Sequence, residues 1–309
     1  MEKTFKTTIE QIKLLKSRQL EIKDINLALN ILENNNYYYL INGYKNLFID
    51  FSSNTEKYIQ GTTIKEIYDL YEFDRKIRII FLEYILLIER KIDTYIAYEF
   101  SKEHGYKDYL IPDNFDYNKK NKKIVDKLLK DINLEISHQY KNSNKMIKHY
   151  IDTYNYIPLW VLIRILSFGK VSKFYSIMKP KEKNRISRKF NIKSEILKIY
   201  LTNLGEIRNI CAHDEKLYDV SLRFKISSNN YHSILKIEKL RGNYKSGVQD
   251  LFSVVLILKI MLEKEQFNQF YKSLIKNIQE LKKKINNIEF IKVLDKMGFP
   301  KNYKKLLNL

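Results

Sequence analysis

The chain has 309 residues, of which 44% are hydrophobic, so it is long enough to form one large or two modest cores. A single cysteine excludes an internal disulfide framework, and no His/Cys cluster has zinc-site spacing, so we expect no metal or other cofactor. Lys and Arg total 56 against 36 Asp and Glu. The resulting charge of +20 favours a polyanionic partner, although AT-rich codons also enrich Lys, Asn, Ile and Tyr.

Apolar residues recur at helical spacing over most of the sequence, and this pattern predicts an all-α fold. The predicted helices cover residues 7–17, 23–34, Ile67 to about Ser101, 121–136, Pro158 to about Leu166, and Leu251 to Leu281 as one long or two consecutive helices. Asn42-Gly43 is typical of a turn, and Gly169 is expected to end the helix that begins near Pro158.

The long helix that begins at Ile67 has a broad apolar stripe, which predicts a central helix with a wide buried face. Glu89 and Arg90 interrupt this stripe. Either they belong to an ordinary ion pair, or they support a functional site.

Residues 221–240 break the helical pattern, because Leu222, Phe224 and Ile226 alternate with polar residues. The alternation predicts a short β-hairpin beside the preceding helix. No Pro/Gly-rich linker divides the chain. We expect a boundary near residue 65 between a small N-terminal helical cap, residues 1–65, and a helical body, residues 66–309.

The apolar run from Leu251 to Leu262 contains Lys259 and is too short to span a bilayer, so it predicts a buried helix. The sequence begins with polar and charged residues, unlike a signal peptide. We therefore expect a cytoplasmic protein that does not contact a membrane.

The six residues Arg208-Asn209-Ile210-Cys211-Ala212-His213 stand where a helix predicted to start near Ser194 ends. Arginine holds phosphate charge, histidine moves a proton, and an amide can fix one imidazole tautomer. Asn209 and His213 are four apart, so Asn209 could hydrogen-bond the imidazole. The negative end of the helix dipole favours cations, which makes His213 a better proton donor or phosphate clamp than a base. The alternative is a buried Arg/His pair that ties two helix ends together.

A basic cluster precedes the helix that carries this motif. Such a cluster can neutralise several phosphates, although an ordinary exposed basic helix explains it equally well. The candidate RNA-binding residues are Lys181, Lys183, Arg185, Arg188 and Lys189, with Lys216 after the motif. Tyrosines near basic residues could stack on bases, but most are expected in the core.

Besides Arg208–His213, the sequence contains five further blocks: Asn36 to Tyr44, Ile67 to Tyr98 with Tyr71-Glu72-Phe73-Asp74-Arg75 and Ile88-Glu89-Arg90, Pro158-Leu159-Trp160, Leu166-Ser167-Phe168-Gly169, and Gly298-Phe299-Pro300. Through these blocks and their order, the sequence resembles the Abi-like (AbiD/AbiF type) abortive-infection proteins of the wider HEPN ribonuclease group. The family usually has a small basic-aromatic segment with an arginine after the histidine. Here Asp214-Glu215-Lys216-Leu217-Tyr218 stands there, and Lys216 is the candidate substitute.

The resemblance implies a HEPN-like helical bundle and a metal-independent RNA endonuclease of an abortive-infection or toxin-antitoxin system. In this reading Arg208 stabilises the phosphorane, His213 transfers a proton, and Asn209 orients His213. The resemblance also implies a homodimer with a composite cleft and RNA partners, including a small structured noncoding RNA. The alternatives are a non-catalytic RNA-binding scaffold and a helical subunit that contacts only proteins.

Overall fold

The computed structural model describes residues 4–309, and the protein is 65% helical. The prediction of an all-α fold is therefore confirmed. The helices are α1 (Thr8–Ser17), α2 (Ile25–Asn34), α3 (Ile64–His104), α4 (Lys122–Lys141), α5 (Lys145–Tyr154), α6 (Leu159–Leu162), α7 (Phe168–Ile177), α8 (Pro180–Arg188), α9 (Ser194–Ala212), α10 (Asn230–Ile234), α11 (Leu251–Met261), α12 (Lys264–Lys282) and α13 (Phe290–Lys296). Shorter elements are a π-helical segment (Tyr38–Asn42), 3-10 turns (Lys45–Leu47, Pro112–Asn114, Ile163–Ile165, Tyr303–Asn308) and strands β1 (Lys239–Leu240) and β2 (Asn243–Tyr244).

Helix α3 is the 41-residue axis of the fold, and α9 and α12 pack along it. Thr63 begins the helix with a reciprocal capping box to Glu66, and Gly105 follows its last turn with a φ of +87°. The apolar stripe predicted from the sequence is buried along most of its length, for example at Ile77, Ile85 and Ile92. This packing fixes α9, which carries the Arg208–His213 motif, against the centre of α3.

The N-terminal segment shares one continuous hydrophobic cluster with the rest of the described chain. The boundary expected near residue 65 falls in the first turn of α3. The backbone of Glu21 also bonds to the chain at the start of α3, donating to the Thr62 carbonyl at 2.8 Å and accepting from the Ile64 N–H at 3.2 Å. The division into a cap and a body stays a prediction.

The hairpin predicted within residues 221–240 is wrong in position. The Leu222 and Ile226 amides donate to the carbonyls of Gln249 and Val248, so this extended segment is tied to the chain before α11. Asn229 then accepts from the Tyr231 amide and begins α10. The hairpin that forms lies later, in β1 and β2, around a two-residue turn whose Arg241 and Gly242 both have positive φ.

Two glycines, one predicted in a turn and one predicted to end a helix, lie within helical backbone instead. Gly43 has a φ of −68° and a ψ of −37°, so the expected turn at Asn42-Gly43 is absent. Gly169 lies in the first turn of α7, because Ser167 caps that helix by accepting from the Lys170 amide. The helix after Pro158 ends earlier, where α6 tightens into the 3-10 turn Ile163–Ile165.

The C-terminal apolar segment forms two consecutive helices, α11 and α12, which agrees with one of the two alternatives. Helix α11 is buried on nearly all sides, as its apolar run predicts. Gly298 packs against its N-cap residue Asp250, whose carboxylate accepts from the Gly247 and Ser253 amides. Within residues 4–309, we find no helix with both the length and the apolar character needed to cross a bilayer.

Candidate active site

The Arg208–His213 motif occupies the last turn of α9 and the residue that follows it. Asn209 and His213 are exposed, and the side chain of Arg208 is 31% exposed. The motif is therefore open to a ligand and is not sealed within the core. The helix begins at Ser194, as predicted from the sequence, with Lys193 in the N-cap position.

The side chains of Asn209 and His213 do not form the hydrogen bond that was expected between them. Instead, the His213 amide donates to the Asn209 backbone carbonyl at 2.9 Å. His213 follows the last helical residue, and its φ of −103° and ψ of 14° depart from helical values. Its side chain therefore does not follow the i,i+4 alignment on which that expectation depended.

Arg208 is held against α3 by Glu89. The Arg208 Nε lies 3.8 Å from Glu89 Oε2, beyond hydrogen-bond distance, and neither buried atom has a hydrogen-bond partner among residues 4–309. Burial raises the pKa of Glu89, and the charges of Arg208, Arg164 and Arg90 oppose that rise. Glu89 thus belongs to an interhelical ion pair, and a ligand can reach only the exposed part of the Arg208 side chain, not its buried Nε.

The turn after His213 is fixed by two charged residues of α3. Asp214, whose φ is +59°, accepts a hydrogen bond from Arg78. Asp74 accepts from Arg78 Nη1 at 2.5 Å and from the amides of Leu217 and Tyr218 at 3.1 and 2.6 Å. This network, which we call the α3 clasp (Asp74 and Arg78), sets where the chain goes as it leaves the motif.

Tyr44 completes the clasp from the N-terminal segment. Its hydroxyl donates to Asp74 Oδ2 at 2.6 Å, and its ring stacks on Tyr218 with centroids 5.8 Å apart. Burial raises the pKa of Asp74, whereas the hydrogen bond from Tyr44 and the charge of Arg78 lower it. A buried carboxylate with this many donors is a structural anchor, and its loss leaves Arg78 buried without its main partner.

The clasp was not found by reasoning from the sequence, although a signal was present. Asp74 and Arg78 are four residues apart on the long helix and lie within its apolar stripe. Because an unpaired charge is costly to bury, this spacing indicates a buried ion pair. Cys211 is half-buried beside this network and packs against the core, and burial raises the pKa of its thiol to about 12. That environment makes the thiol unreactive.

Part of the basic cluster faces α3 and is neutralised there. Lys181 Nζ lies 3.0 Å from Glu103, and Arg185 pairs with both Glu103 and Glu99. Hydrogen bonds from Arg185 and Lys181 lower the pKa of Glu103 to about 2. Because α8 packs on α3, one side of the basic helix meets acidic side chains, and the cluster is not an open row of charges.

The remaining candidate RNA-binding residues differ in accessibility. Lys183 is buried, Lys189 places its ammonium 4.7 Å from the centre of the Tyr95 ring, and Lys216 pairs with Asp219 at 2.8 Å. Arg188 is exposed and takes no part in the ion pairs that link Lys181 and Arg185 to Glu99 and Glu103. Arg188 is thus the member of the cluster whose charge is most available to a phosphate.

In the described residues, no group of three or more His, Cys, Asp or Glu side chains is arranged to hold a metal ion. A family model described as Abi-like protein matches residues 30–219. This range contains the clasp, the Glu89–Arg208 pair and the Arg208–His213 motif. No curated protein and no solved structure matches the chain.

Proposed function

The chain belongs to the Abi-like protein family, whose members are connected with abortive infection, and from this premise we propose that it is a metal-independent RNA endonuclease of the HEPN type. Its defence role is to cleave cellular RNA, which arrests the infected host. Within the family we assign it to the AbiD/AbiF type on the blocks described above.

The observation that carries the proposal is the open end of α9. An arginine whose side chain is 31% exposed, and whose Nε lies beyond hydrogen-bond distance of Glu89, stands on the same helix end as an exposed amide and an exposed imidazole. The α3 clasp holds the next turn in place, so the motif is presented on a rigid support. Fixed donors around an open position are the arrangement that stabilises developing charge in a transition state.

The chemistry needs only these groups and the substrate. The ribose 2′-oxygen attacks the adjacent phosphorus, and the P–O5′ bond breaks, leaving a 2′,3′-cyclic phosphate and a 5′-hydroxyl. His213 donates a proton to the leaving 5′-oxygen, and Arg208 offsets the charge of the phosphorane. In a homodimer, two copies of the motif face one phosphodiester, so the second imidazole accepts the proton of the 2′-hydroxyl.

The proposal includes two kinds of partner. The first is a second copy of the chain, which completes the cleft. The second is RNA, as substrate and as a small structured noncoding RNA that binds the protein at rest. With its net charge of +20, the protein favours association with both forms of RNA.

Cleavage of end-labelled RNA in excess EDTA tests the proposal. Arg208→Ala and His213→Ala proteins should each lose about 10²- to 10³-fold in rate, because each removes a group that acts in the transition state. Arg75→Ala is the matched control for the arginine, since Arg75 also pairs with a carboxylate on α3. His138→Ala is the control for the histidine, since His138 is exposed in the last turn of α4.

Each variant must keep the thermal midpoint and the mass of the parent assembly, and Arg208→Lys serves if Arg208→Ala fails to fold. Full activity in both motif variants, or loss of activity on chelation, contradicts the proposal. Salt-sensitive RNA binding without any product identifies the alternative, a non-catalytic RNA-binding scaffold. If the protein does not bind RNA even at low salt, the remaining alternative is a helical subunit that contacts only proteins.

A further inference from the structure

A groove of about 800 Å³ runs along α3 from Arg90 to Lys102 and is also lined by Trp160 and Arg164. Its size is typical of a small-ligand site. Among the residues that line it, the following decide its chemistry: Arg90, Asp93, Tyr98, Tyr106, Trp160 and Arg164.

Aromatic rings form much of the wall of this groove. Tyr98, Tyr106 and Trp160 are 61%, 41% and 52% exposed, and the rings of Tyr106 and Trp160 lie 5.8 Å apart. Exposed rings around a groove offer flat surfaces on which an unpaired base can stack, and each stack contributes about 1–3 kcal/mol to RNA binding.

One buried carboxylate in the groove lacks hydrogen bonds. Asp93 is only 6% exposed, and no group among residues 4–309 donates to its Oδ1. Its Oδ2 lies 3.6 Å from Arg164 Nη1, an ion pair beyond hydrogen-bond distance. Both oxygens therefore retain acceptor capacity, and a buried acceptor without a donor destabilises the fold unless a ligand supplies one.

Cations surround the groove and connect it to the proposed active site. Arg90 and Arg164 are exposed at the groove, and the charges of both also lower the pKa of Glu89. Asp93 follows Glu89 by one helical turn, a rise of about 6 Å along α3. A single RNA strand can therefore reach Arg208 with a phosphate and the groove with a neighbouring base.

We propose that this groove binds an unpaired guanine of the RNA, stacked on the aromatic wall and hydrogen-bonded through its Watson–Crick edge to Asp93. The inference rests on the proposed function, since it takes RNA as the ligand. Guanine presents two adjacent donors, N1–H and the 2-amino group, which match the two oxygens of a carboxylate. Adenine and cytosine place a ring acceptor next to their amino group, and uracil places a carbonyl on each side of N3–H, so each brings a lone pair towards Asp93.

The test uses 5′-labelled 2′-O-methyl hexanucleotides, which bind but cannot be cleaved, with one central base varied and uridine elsewhere. Anisotropy at pH 8 should show guanine binding about tenfold tighter than adenine, cytosine or uracil, because a hydrogen bond to a charged group is involved. Inosine, which lacks the 2-amino group, should fall between. Trp160 is the only tryptophan of the chain, so quenching of its fluorescence reports directly on occupancy of the groove.

Asp93→Asn should abolish the preference for guanine, and Trp160→Ala should weaken binding of all bases. Glu83→Gln is the matched control, since it removes one exposed carboxylate from the same helix. Equal affinity for all bases, or an unchanged preference in Asp93→Asn, overturns the inference.

A Trp160→Ala protein that loses its dimer but binds RNA normally also overturns the inference, since the groove is then a contact between copies. Cleavage that depends on Arg208 and His213 without base preference leaves the proposed function standing and rejects only the guanine site. Guanine-selective binding without cleavage supports the guanine site and rejects the proposed endonuclease activity.

Discussion

The buried carboxylate of Asp93 makes a sharp prediction about stability and pH. Burial and the neighbouring Glu89 raise the pKa of Asp93 to about 7 from an ordinary 3.8, against the opposing charge of Arg164. The folded state therefore holds the Asp93 proton more tightly than the unfolded chain does. Its contribution to stability is complete below pH 3.8 and is lost as the pH rises to 7.

The size of this loss follows from the two pKa values. A difference of about three pH units corresponds to about 4 kcal/mol, and somewhat over half of it, about 2.5 kcal/mol, is lost between pH 5 and pH 8. An asparagine at position 93 keeps the shape of the neutral acid and cannot ionise. Asp93→Asn should therefore be more stable than the parent protein at pH 8, by an amount that shrinks by about 2.5 kcal/mol at pH 5.

Urea unfolding of the parent, Asp93→Asn and Glu83→Gln proteins at both pH values measures this difference. Glu83 is exposed on the same helix, so its substitution should give no pH-dependent change above about 0.5 kcal/mol. A parent protein that is more stable than Asp93→Asn at pH 8 refutes the reasoning, because Asp93 then has a stabilising partner in its ionised form.

Three further predictions concern the rest of the structure. Asp74→Ala should lower the free energy of unfolding by about 3–5 kcal/mol, because the buried Arg78 loses its partner. Amide hydrogen exchange in the turn after the motif should also become faster. An unchanged exchange rate would contradict the role given to the α3 clasp. Gly298→Ala should lower the melting temperature, since its φ is +75° and a Cβ there would clash with the Asp250 carboxylate. Its control, Gly43→Ala, has open space and a helical φ and should be neutral or slightly stabilising; equal effects refute the argument. Cys211 should react with iodoacetamide at pH 8 only after unfolding, because burial raises its pKa to about 12; rapid labelling of the folded protein contradicts this.

Periodicity predicted the helices well where one face is buried. The apolar stripe beginning at Ile67 predicted α3 to within three residues at each end. A long repeat of apolar residues at helical spacing fits few secondary structures other than a helix. The hairpin prediction for residues 221–240 was wrong because an alternating pattern indicates an extended backbone but does not identify the segment that it pairs with. That partner, the segment at Val248 and Gln249, is distant in sequence from Leu222.

The candidate site was predicted in part. The place of Arg208 and His213 at a helix end follows from local pattern, whereas their neighbours depend on tertiary packing. Glu89 was noticed as an interruption of the stripe, but only the crossing of α3 and α9 brings it to Arg208. The basic residues of α8 looked like a phosphate-binding row because sequence reasoning could not detect that Glu99 and Glu103 face them.

The continuity of α3 has a mechanical consequence. Asp74, Glu89 and Asp93 belong to one uninterrupted rod, so the axial separation between the support of the motif and the groove is set by helix rise alone. Movement of loops or of the N-terminal segment cannot stretch or compress that spacing. In the proposed RNA complex, any change in the distance between the phosphate at Arg208 and the base in the groove would instead come from sliding of α9 against α3.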